Sequence, residues 1–306
     1  MGLYVRELES TRVSTFTLGE ILMLESRTND ILGYPPDARL LIINGDDFGM
    51  CHAINEGILQ SITHGIVSST TLMTPCPWAF HAMDMLRDHP DIGFGVHLTL
   101  ISEFGRFRWG PLASKDKVSS LLDESGNFYR VSRKQEVVNR ARIDEVELEF
   151  RTQIEMVLNA QLKPTHLDWH VFDEACRDDF FALTVRLAKE YDLAMRISSH
   201  AAAVRLQAEG LPAAEGGMQS TYGLNPDDKA AIYSQALRSL PAGLSEWSVH
   251  PSLGNAEAQA MEPDNWRTRR ADFEFFTSPE AKAIIAKEGI TLINFGELQK
   301  VWARNQ

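Results

Sequence analysis

Short apolar runs alternate with helical stretches along most of this 306-residue chain, and that alternation restricts its fold more than any other feature. Seven runs have the length and composition of buried strands. They cover residues 40–44, 67–73, 92–98, 165–169, 193–197, 245–249 and 290–294. A helical pattern follows each run, and such repeated units form a parallel sheet with helices outside. Because a standard barrel has eight strands, we expect an α/β fold that forms an irregular (β/α) barrel of about seven parallel strands.

The chain is expected to form an N-terminal extension, residues 1–36, and a single barrel domain, residues 37–306. The extension carries a weak helical pattern at 18–24 and ends in Gly33-Tyr-Pro-Pro36. Residues 101–142 interrupt the alternation with glycine, proline and turn residues. A long irregular segment inside a compact domain is usually a lid or a binding loop, so we expect an insertion with that role.

The charge and the cysteines limit the partners and the compartment. The net charge is −12 and no basic tract is present, which argues against nucleic acid or an anionic membrane as a partner and favours a neutral or cationic ligand. The three cysteines, Cys51, Cys76 and Cys176, lack metal-site or disulfide spacing. Without a signal-peptide core or an apolar span, the expectation is a cytoplasmic protein. The assembly state stays open, with a homodimer as one option.

Polar groups with metal and acid–base chemistry collect where the predicted strands end. In barrels and open α/β sheets, ligands bind at the carboxyl ends of the strands. Five of the seven predicted strands end in such groups, and this number argues against chance. The residues are Asn44, Asp46, Asp47, His97, Thr99, His166, Asp168, His170, Arg196 and His250.

Three of these residues share a face of the fourth strand. His166, Asp168 and His170 alternate along the chain, so their side chains point the same way. His170, nearest the strand end, would reach a metal, and Asp168 could orient it from behind. The alternative is an ordinary strand whose histidines bond to the backbone. On the third strand, Gly93 and Gly95 precede His97 and leave room for a substrate or for a neighbouring chain segment.

The adjacent carboxylates Asp46 and Asp47 leave their strand in different directions, so one could bind a metal while the other takes a proton. The alternative is a turn that caps the next helix. A carboxylate with two imidazoles, from His97 and His170, suits Zn²⁺ best. Co²⁺, Fe²⁺, Ni²⁺ or Mn²⁺ would also fit, and Mg²⁺ is less typical.

With these motifs the chain resembles the YdjC/ChbG family of carbohydrate deacetylases. The resemblance rests on NGDDFG at 44–49, NEGI at 55–58, GIVSSTTLM at 65–73, GFGVHLTL at 93–100, KPTHLDWH at 163–170 and VHP at 249–251. It spans residues from about 39 to 300 in the expected order. It implies a barrel of the polysaccharide-deacetylase type, one divalent metal ion, and removal of the acetyl group from N-acetylated sugars such as chitooligosaccharides.

The resemblance also implies roles for individual residues. Asp47, His97 and His170 would hold the metal, and Asp46 would be the general base. His250 would donate a proton to the leaving amine, and Arg196 would steer the base or the substrate. We expect the substrate itself, a small carbohydrate, to contact Asn44, Thr99 and Trp169. Loop aromatics could add stacking platforms, although aromatic residues are more often core; these are Phe104, Phe107, Trp109, Phe128 and Tyr129.

The chain departs from the family pattern near the fourth and sixth strands. Trp169 stands where the family usually has serine, Val171-Phe172 replace further histidines, and Ser252 replaces glycine after His250-Pro251. These changes spare the metal residues but alter the cleft, so they bear on the substrate more than on the reaction. Two rival functions remain: a catalytically silent sugar-binding protein on the same scaffold, and another metal-dependent hydrolase such as a phosphoesterase. The phosphoesterase ranks lower because no phosphate-binding loop is present.

Overall fold

The computed structural model describes residues 27–218 and 221–304, and their centre is a parallel β-sheet. Its strands are β1 (Arg39–Phe48), β2 (Ser69–Leu72), β3 (Phe94–Leu98), β4 (His166–Trp169), β5 (Ala194–Met195), β6 (Gly216–Met218), β7 (Gly243–Val249) and β8 (Thr291–Leu292). They lie in the order β5-β4-β3-β2-β1-β7-β6, and β8 pairs with the start of β1 beside Leu40 and Leu41. This half-barrel confirms the predicted fold class.

All seven predicted strands are present, and β6 is an addition. It lies in a passage, 200–223, whose alanine and glycine content predicted a loop. The sequence Gly216-Gly217-Met218 has no β-branched side chain, and its strand character comes from pairing with Ser245, Glu246 and Trp247 of β7. Main-chain pairing with a neighbour far along the chain cannot be read from local composition.

Helices cover the outside of the sheet and follow the strands along the chain. They are α1 (Arg27–Leu32), α2 (His52–Thr63), α3 (Ala79–Asp88), α4 (Lys134–Arg140), α5 (Ile143–Asn159), α6 (Asp178–Glu190), α7 (His200–Ala208), α8 (Lys229–Arg238), α9 (Ala256–Met261), α10 (Trp266–Phe276), α11 (Pro279–Lys287) and α12 (Phe295–Trp302). The single helix predicted at 266–288 is wrong, because it is two helices. Ser278 caps α11 by accepting from the Ala281 N–H, and Pro279 begins the new helix.

The faces of β1 show where the barrel interior lies. Leu40 and Ile42 pack into one apolar cluster, and Leu41 and Ile43 pack into a second one. Side chains alternate along a strand, so Asn44 and Asp46 continue the face of Leu40 and Ile42. On strand β7, Leu244 belongs to the same cluster as Leu40 and Ile42. Glu246 lies two residues later on the same face of that strand. The interior is therefore apolar near the amino ends of the strands and polar near their carboxyl ends.

Part of the predicted extension packs against the barrel. Thr28 of α1 is buried, and its hydroxyl donates to the Ala213 carbonyl at 2.7 Å. Asn29 is also buried and donates to the Ala38 carbonyl just before β1. The packed structure thus begins before residue 36, the predicted boundary, whereas the helix predicted at 18–24 lies outside the described residues. None of the described helices is both long and apolar enough to cross a membrane.

The insertion at 101–142 is folded, and several of its side chains are buried. It contains α4 and three 3-10 turns, at Lys115–Lys117, Ser119–Leu121 and Val131–Arg133. Trp109, Phe128 and Tyr129 are buried in the main apolar cluster, so the suggestion that they stack on a sugar is wrong for these three residues. Their burial follows the more common behaviour of aromatic side chains.

Candidate metal centre and active site

A cavity of about 450 Å³ opens at the carboxyl ends of the strands. Eight of the residues predicted to carry the site line it: Asp46, Asp47, His97, Asp168, Trp169, His170, Arg196 and His250. They come from strands β1, β3 and β4 and from the segments that follow β4, β5 and β7. Parallel strands end at one edge, so groups distant in the chain meet there.

The donor atoms of Asp47, His97 and His170 converge on one point. Asp47 Oδ1 lies 3.3 Å from His170 Nδ1 and 3.6 Å from His97 Nε2. Two atoms bound to one tetrahedral zinc ion at about 2.0–2.1 Å lie about 3.3 Å apart. The three side chains are buried, and their donor atoms lie within 4.8 Å of one another. This spacing fits a shared divalent cation.

The hydrogen bonds of Asp47 and the charges around His97 also support a shared divalent cation. Asp47 Oδ2 accepts from Arg269 at 2.7 Å, whereas Asp47 Oδ1 is buried without a hydrogen-bond donor among the described residues. A buried carboxylate oxygen without a partner is costly, and a cation would satisfy it. Burial alone would lower the pKa of His97, but Asp168, Asp47 and Asp46 outweigh it and raise the pKa to about 10. The surroundings of His97 therefore attract positive charge.

The backbone is strained on both sides of this point. Asp47 has φ 73° and Val171 has φ 68°, both in the left-handed region. Aspartate tolerates that region moderately well, but for a β-branched residue such as Val171 it is an outlier. The Gly49 N–H donates to Asn55 Oδ1, and Lys134 donates to the Val171 carbonyl, which holds the two turns in place. These turns present Asp47 and His170 to the cavity.

Asp168 orients His97, and the suggestion that it orients His170 is wrong. Asp168 Oδ1 bonds to His97 Nδ1 at 2.7 Å, because the two residues are register partners on the neighbouring strands β3 and β4. Strands lie about 4.8 Å apart, whereas residues two apart on one strand are separated by about 6.6 Å. With Nδ1 bonded to Asp168, the free Nε2 of His97 faces Asp47.

His166 belongs to the core. Its ring stacks on Phe295 with centroids 3.7 Å apart, and a side chain at Gly95 would meet the ring at 2.6 Å. Burial lowers the pKa of His166 to about 3, so it is neutral. The room left by Gly95 is therefore filled by a neighbouring strand, which was one of the two readings that the sequence allowed.

Asp46 is held by an arginine and an asparagine. Arg196 donates to both of its oxygens, at 2.7 and 2.9 Å, and Asn44 Nδ2 donates to Asp46 Oδ1 at 2.8 Å. Burial would raise the pKa of Asp46, but the Arg196 guanidinium and His97 hold it near 2. Asp46 Oδ2 lies 4.0 Å from His97 Nε2, so an ionised carboxylate stands beside the candidate metal position.

Arg196 connects three carboxylates from three strands. Besides Asp46, it donates to Asp168 Oδ2 at 2.5 Å and to Glu246 Oε1 at 3.0 Å. Glu246 lies within the buried strand β7 and was not singled out from the sequence, although a carboxylate in the run Leu244-Ser-Glu-Trp247 is itself a signal. The pKa of Arg196 stays well above its ordinary value because these carboxylates outweigh its burial.

Arg269, on α10, is a second cation that sequence reasoning missed. It donates to Asp47 Oδ2 at 2.7 Å and to Glu262 Oε2 at 2.9 Å, and it is buried. The helix contains three arginines, Arg267, Arg269 and Arg270, and no local pattern distinguishes the one that reaches Asp47, 222 residues away.

His250 lies at the end of β7 and lines the cavity. Its backbone N–H donates to Asp272 Oδ2 at 3.0 Å, which fixes the chain where it leaves the strand. Burial lowers its pKa despite the nearby Asp47 and Asp46, so the imidazole is neutral at pH 7. Its Nδ1 is buried and has no hydrogen-bond partner among the described residues.

Asn44 and Thr99 do not reach the cavity, contrary to the expected substrate contacts. Both are fully buried. The Asn44 amide donates to Asp46 and Thr71, and the Thr99 hydroxyl donates to the His97 carbonyl. Asn44 and Thr99 therefore lie beneath the strand ends, where they support Asp46 and His97 through these hydrogen bonds. Trp169 lines the cavity but is only 8% exposed, and its indole N–H donates to Thr184.

The Arg196 network leads to a prediction on stability. Replacing Arg196 by methionine leaves three buried carboxylates without their common cation. Removing one partner from a buried ionic network usually costs about 3–5 kcal/mol. We expect the free energy of unfolding of metal-free protein, measured in urea, to fall by that amount. The control is Arg186→Met, whose side chain is 52% exposed beside Glu147 and should cost at most about 1 kcal/mol. Equal losses in the two variants would contradict this account.

Comparison with known proteins shows the family to which the chain belongs. The family model described as YdjC-like protein matches residues 40–287. A carbohydrate deacetylase from Clostridium beijerinckii is 30% identical over 260 residues, 84% of this chain and 99% of that protein. A chitooligosaccharide deacetylase from Yersinia enterocolitica is 28% identical over 263 residues, covering 85% and 99%. A crystal structure from Enterococcus faecalis superposes with a TM-score of 0.73 at 26% identity, covering 85% and 99%. The matched span contains the cavity residues, and the chain belongs to the YdjC-like family.

Proposed function

We propose that this protein removes the acetyl group from N-acetylated sugars by metal-dependent hydrolysis of the amide bond. The observation that carries the proposal is the meeting of Asp47, His97 and His170 in one cavity beside the ionised Asp46. Membership of a family whose similar members are named as carbohydrate deacetylases supports the substrate class.

Asp47, His97 and His170 are the residues that would hold the ion. A divalent cation bound there supplies Lewis-acid activation of the amide carbonyl and makes water easier to deprotonate. The imidazole and carboxylate donors favour Zn²⁺, with Co²⁺, Mn²⁺ and Mg²⁺ as the metals to compare. Arg269 donates a hydrogen bond to Asp47 Oδ2, so Asp47 Oδ1 remains available to bind the ion.

Asp46 and His250 would move the protons. Asp46 accepts a proton from the attacking water, while Arg196 and Asn44 hold its carboxylate in position. A carbon–oxygen bond forms and the carbon–nitrogen bond breaks, which gives acetic acid and an amine, and these two products leave as acetate and a protonated amine. His250 is neutral at rest, so the proton that Asp46 accepts from the water must pass to His250, which then donates it to the departing nitrogen. The hydrolysis then consumes one water and leaves no net change on the enzyme.

The test is acetate release by protein stripped of metal and reloaded with Zn²⁺, Co²⁺, Mn²⁺ or Mg²⁺. The substrates are N-acetylglucosamine, N,N′-diacetylchitobiose and longer oligomers, with p-nitrophenyl phosphate as the comparison for a phosphoesterase. We expect acetate from at least one acetylated sugar, only with added metal, and no phosphate release. Sugar binding without acetate release would instead support the catalytically silent protein.

A further inference from the structure

We infer that Lys134, in the insertion, is a positioning residue for the metal centre: it holds the strained turn after His170 and thereby raises the affinity of the site for a divalent cation. The inference rests on the metal centre of the proposed function, and it adds a residue and a role for the insertion. Its basis is a left-handed residue next to His170 and the hydrogen bond that holds that residue in place.

The sheet fixes His170 on one side only. Strand β4 ends at Trp169, and the His170 backbone N–H makes one more hydrogen bond, to the Leu98 carbonyl at 3.0 Å. The next residue, Val171, is left-handed with φ 68°. A β-branched residue avoids that conformation and keeps it only where the surrounding structure holds it. The direction in which the chain leaves His170 therefore depends on contacts made beyond the sheet.

Lys134 makes two such contacts. Its Nζ donates to the Val171 carbonyl at 2.7 Å, and the same atom lies 5.0 Å from the centre of the Phe172 ring. A hydrogen bond from a charged donor is stronger than one between neutral groups, and an ammonium over an aromatic ring adds attraction. Lys134 thus holds both of the residues that directly follow His170.

The lysine itself stands on a fixed base. It is the first residue of α4, and Val137 of that helix is buried in the main apolar cluster. At the other end of the helix, the Ala141 carbonyl accepts from Arg177 at 2.6 Å. Helix α4 is therefore bonded to both ends of the segment 171–177, four residues of which line the cavity.

Loss of the lysine should act on the metal-free protein. Without that hydrogen bond, Val171 can relax to an ordinary backbone conformation, and His170 then leaves its place beside Asp47 and His97. A site that is assembled in only a fraction of the molecules binds more weakly by the reciprocal of that fraction. The strain of a left-handed β-branched residue corresponds to a preference of about tenfold to hundredfold for the relaxed form.

The charge of Lys134 acts in the opposite direction. An ammonium group near the site repels a divalent cation, so its removal by itself would tighten metal binding. A lysine that only stabilised the insertion would leave the metal affinity of the folded protein unchanged. Weaker binding after removal of Lys134 is therefore the result that a positioning role alone predicts.

The experiment measures the Zn²⁺ affinity of metal-free, full-length protein by competition with a chelator, in the absence of sugar. We expect the Kd of Lys134→Met to be about tenfold to hundredfold higher than that of wild type. The matched control is Lys117→Met, the same substitution at an exposed position of the same insertion, and it should leave the Kd within about twofold. Unchanged or tighter binding by Lys134→Met, or equal weakening in both variants, would overturn the inference.

A second substitution should restore the affinity that Lys134→Met loses. Glycine adopts positive φ about as readily as negative φ, so Val171→Gly needs no lysine to keep the turn. We expect the double variant to bind Zn²⁺ within about threefold of wild type, because about half of its molecules keep the turn. A change at Val171 would not repair a loss that arose elsewhere in the insertion. Circular dichroism shows that each variant is folded, and a folded double variant without recovery would also overturn the inference.

These titrations separate the inference from the proposed function because no substrate is present. Wild-type protein that binds Zn²⁺ but releases no acetate from any acetylated sugar would count against the deacetylase alone. Wild-type protein that binds Zn²⁺ with the same affinity as Lys134→Met would remove the role of Lys134 alone. Wild-type protein that binds no Zn²⁺ would remove the metal centre and this inference with it.

Discussion

Replacing Asp47 by asparagine should leave the protein folded but unable to retain a divalent cation. The change keeps the shape of the side chain, and asparagine accepts the left-handed backbone at φ 73° as readily as aspartate does. It removes the negative charge that faces His97 and His170 at 3.6 and 3.3 Å. An amide oxygen is a far weaker ligand for zinc than a carboxylate, so the site loses one of its three donors.

The measurement is metal content after dialysis, together with acetate release. We expect wild-type protein to keep about one ion per chain and Asp47→Asn to keep almost none. Activity should fall by more than about a thousandfold, because several kcal/mol of charge stabilisation disappear with the ion. Asp37→Asn, at an exposed position before β1, is the control for the change in charge. A variant at Asp47 that binds metal as wild type does would remove these three residues as the metal centre.

Replacing the preceding residue, Asp46, should give a different result. Asp46→Asn removes the group that accepts a proton from water, which lowers kcat by about a hundredfold to ten-thousandfold. The variant should still bind the cation, because Asp46 does not belong to the trio formed by Asp47, His97 and His170. Metal content near wild type together with lost turnover would distinguish the base from a ligand.

This variant should also be less stable than wild type. The new amide NH₂ group faces a donor of Arg196 or Asn44, both of which now donate to the carboxylate. An unsatisfied buried polar group costs about 1–3 kcal/mol. The free energy of unfolding in urea should fall by that amount, and assays should use temperatures at which both proteins are folded. Undiminished acetate release by Asp46→Asn would refute the proposed role of Asp46.

Both variants replace a carboxylate by an amide, and they do so at adjacent residues. Each variant is therefore a control for the other. Their expected difference follows from the backbone at the end of β1, where the register with β2 shifts between Gly45 and Phe48. The shift and the left-handed conformation of Asp47 turn the two side chains toward different partners, Arg196 and Arg269. The same result from both variants would mean that the two carboxylates share one role.

Local sequence patterns predicted the fold class well because they depend on short-range rules. Apolar runs bounded by turn residues predicted the seven strands, and the motifs at their ends predicted the cavity that collects Asp46, Asp47, His97, His170, Arg196 and His250. The same rules failed at β6, which has no strand-forming side chains, and at the break between α10 and α11, although Ser278-Pro279 marked it. The roles of the site residues stay predictions until the variants are measured.

The sequence by itself determined the kinds of groups that stand at the strand ends, because strand alternation and turn chemistry act within a few residues. Only the tertiary structure decided which of them meet. The register of β3 and β4 pairs Asp168 with His97, and the packing of α10 brings Arg269 to Asp47 across 222 residues. Packing depth also separated the buried Asn44 and Thr99 from the cavity. Such contacts arise between elements that are distant in the chain, where local patterns carry no information about distance.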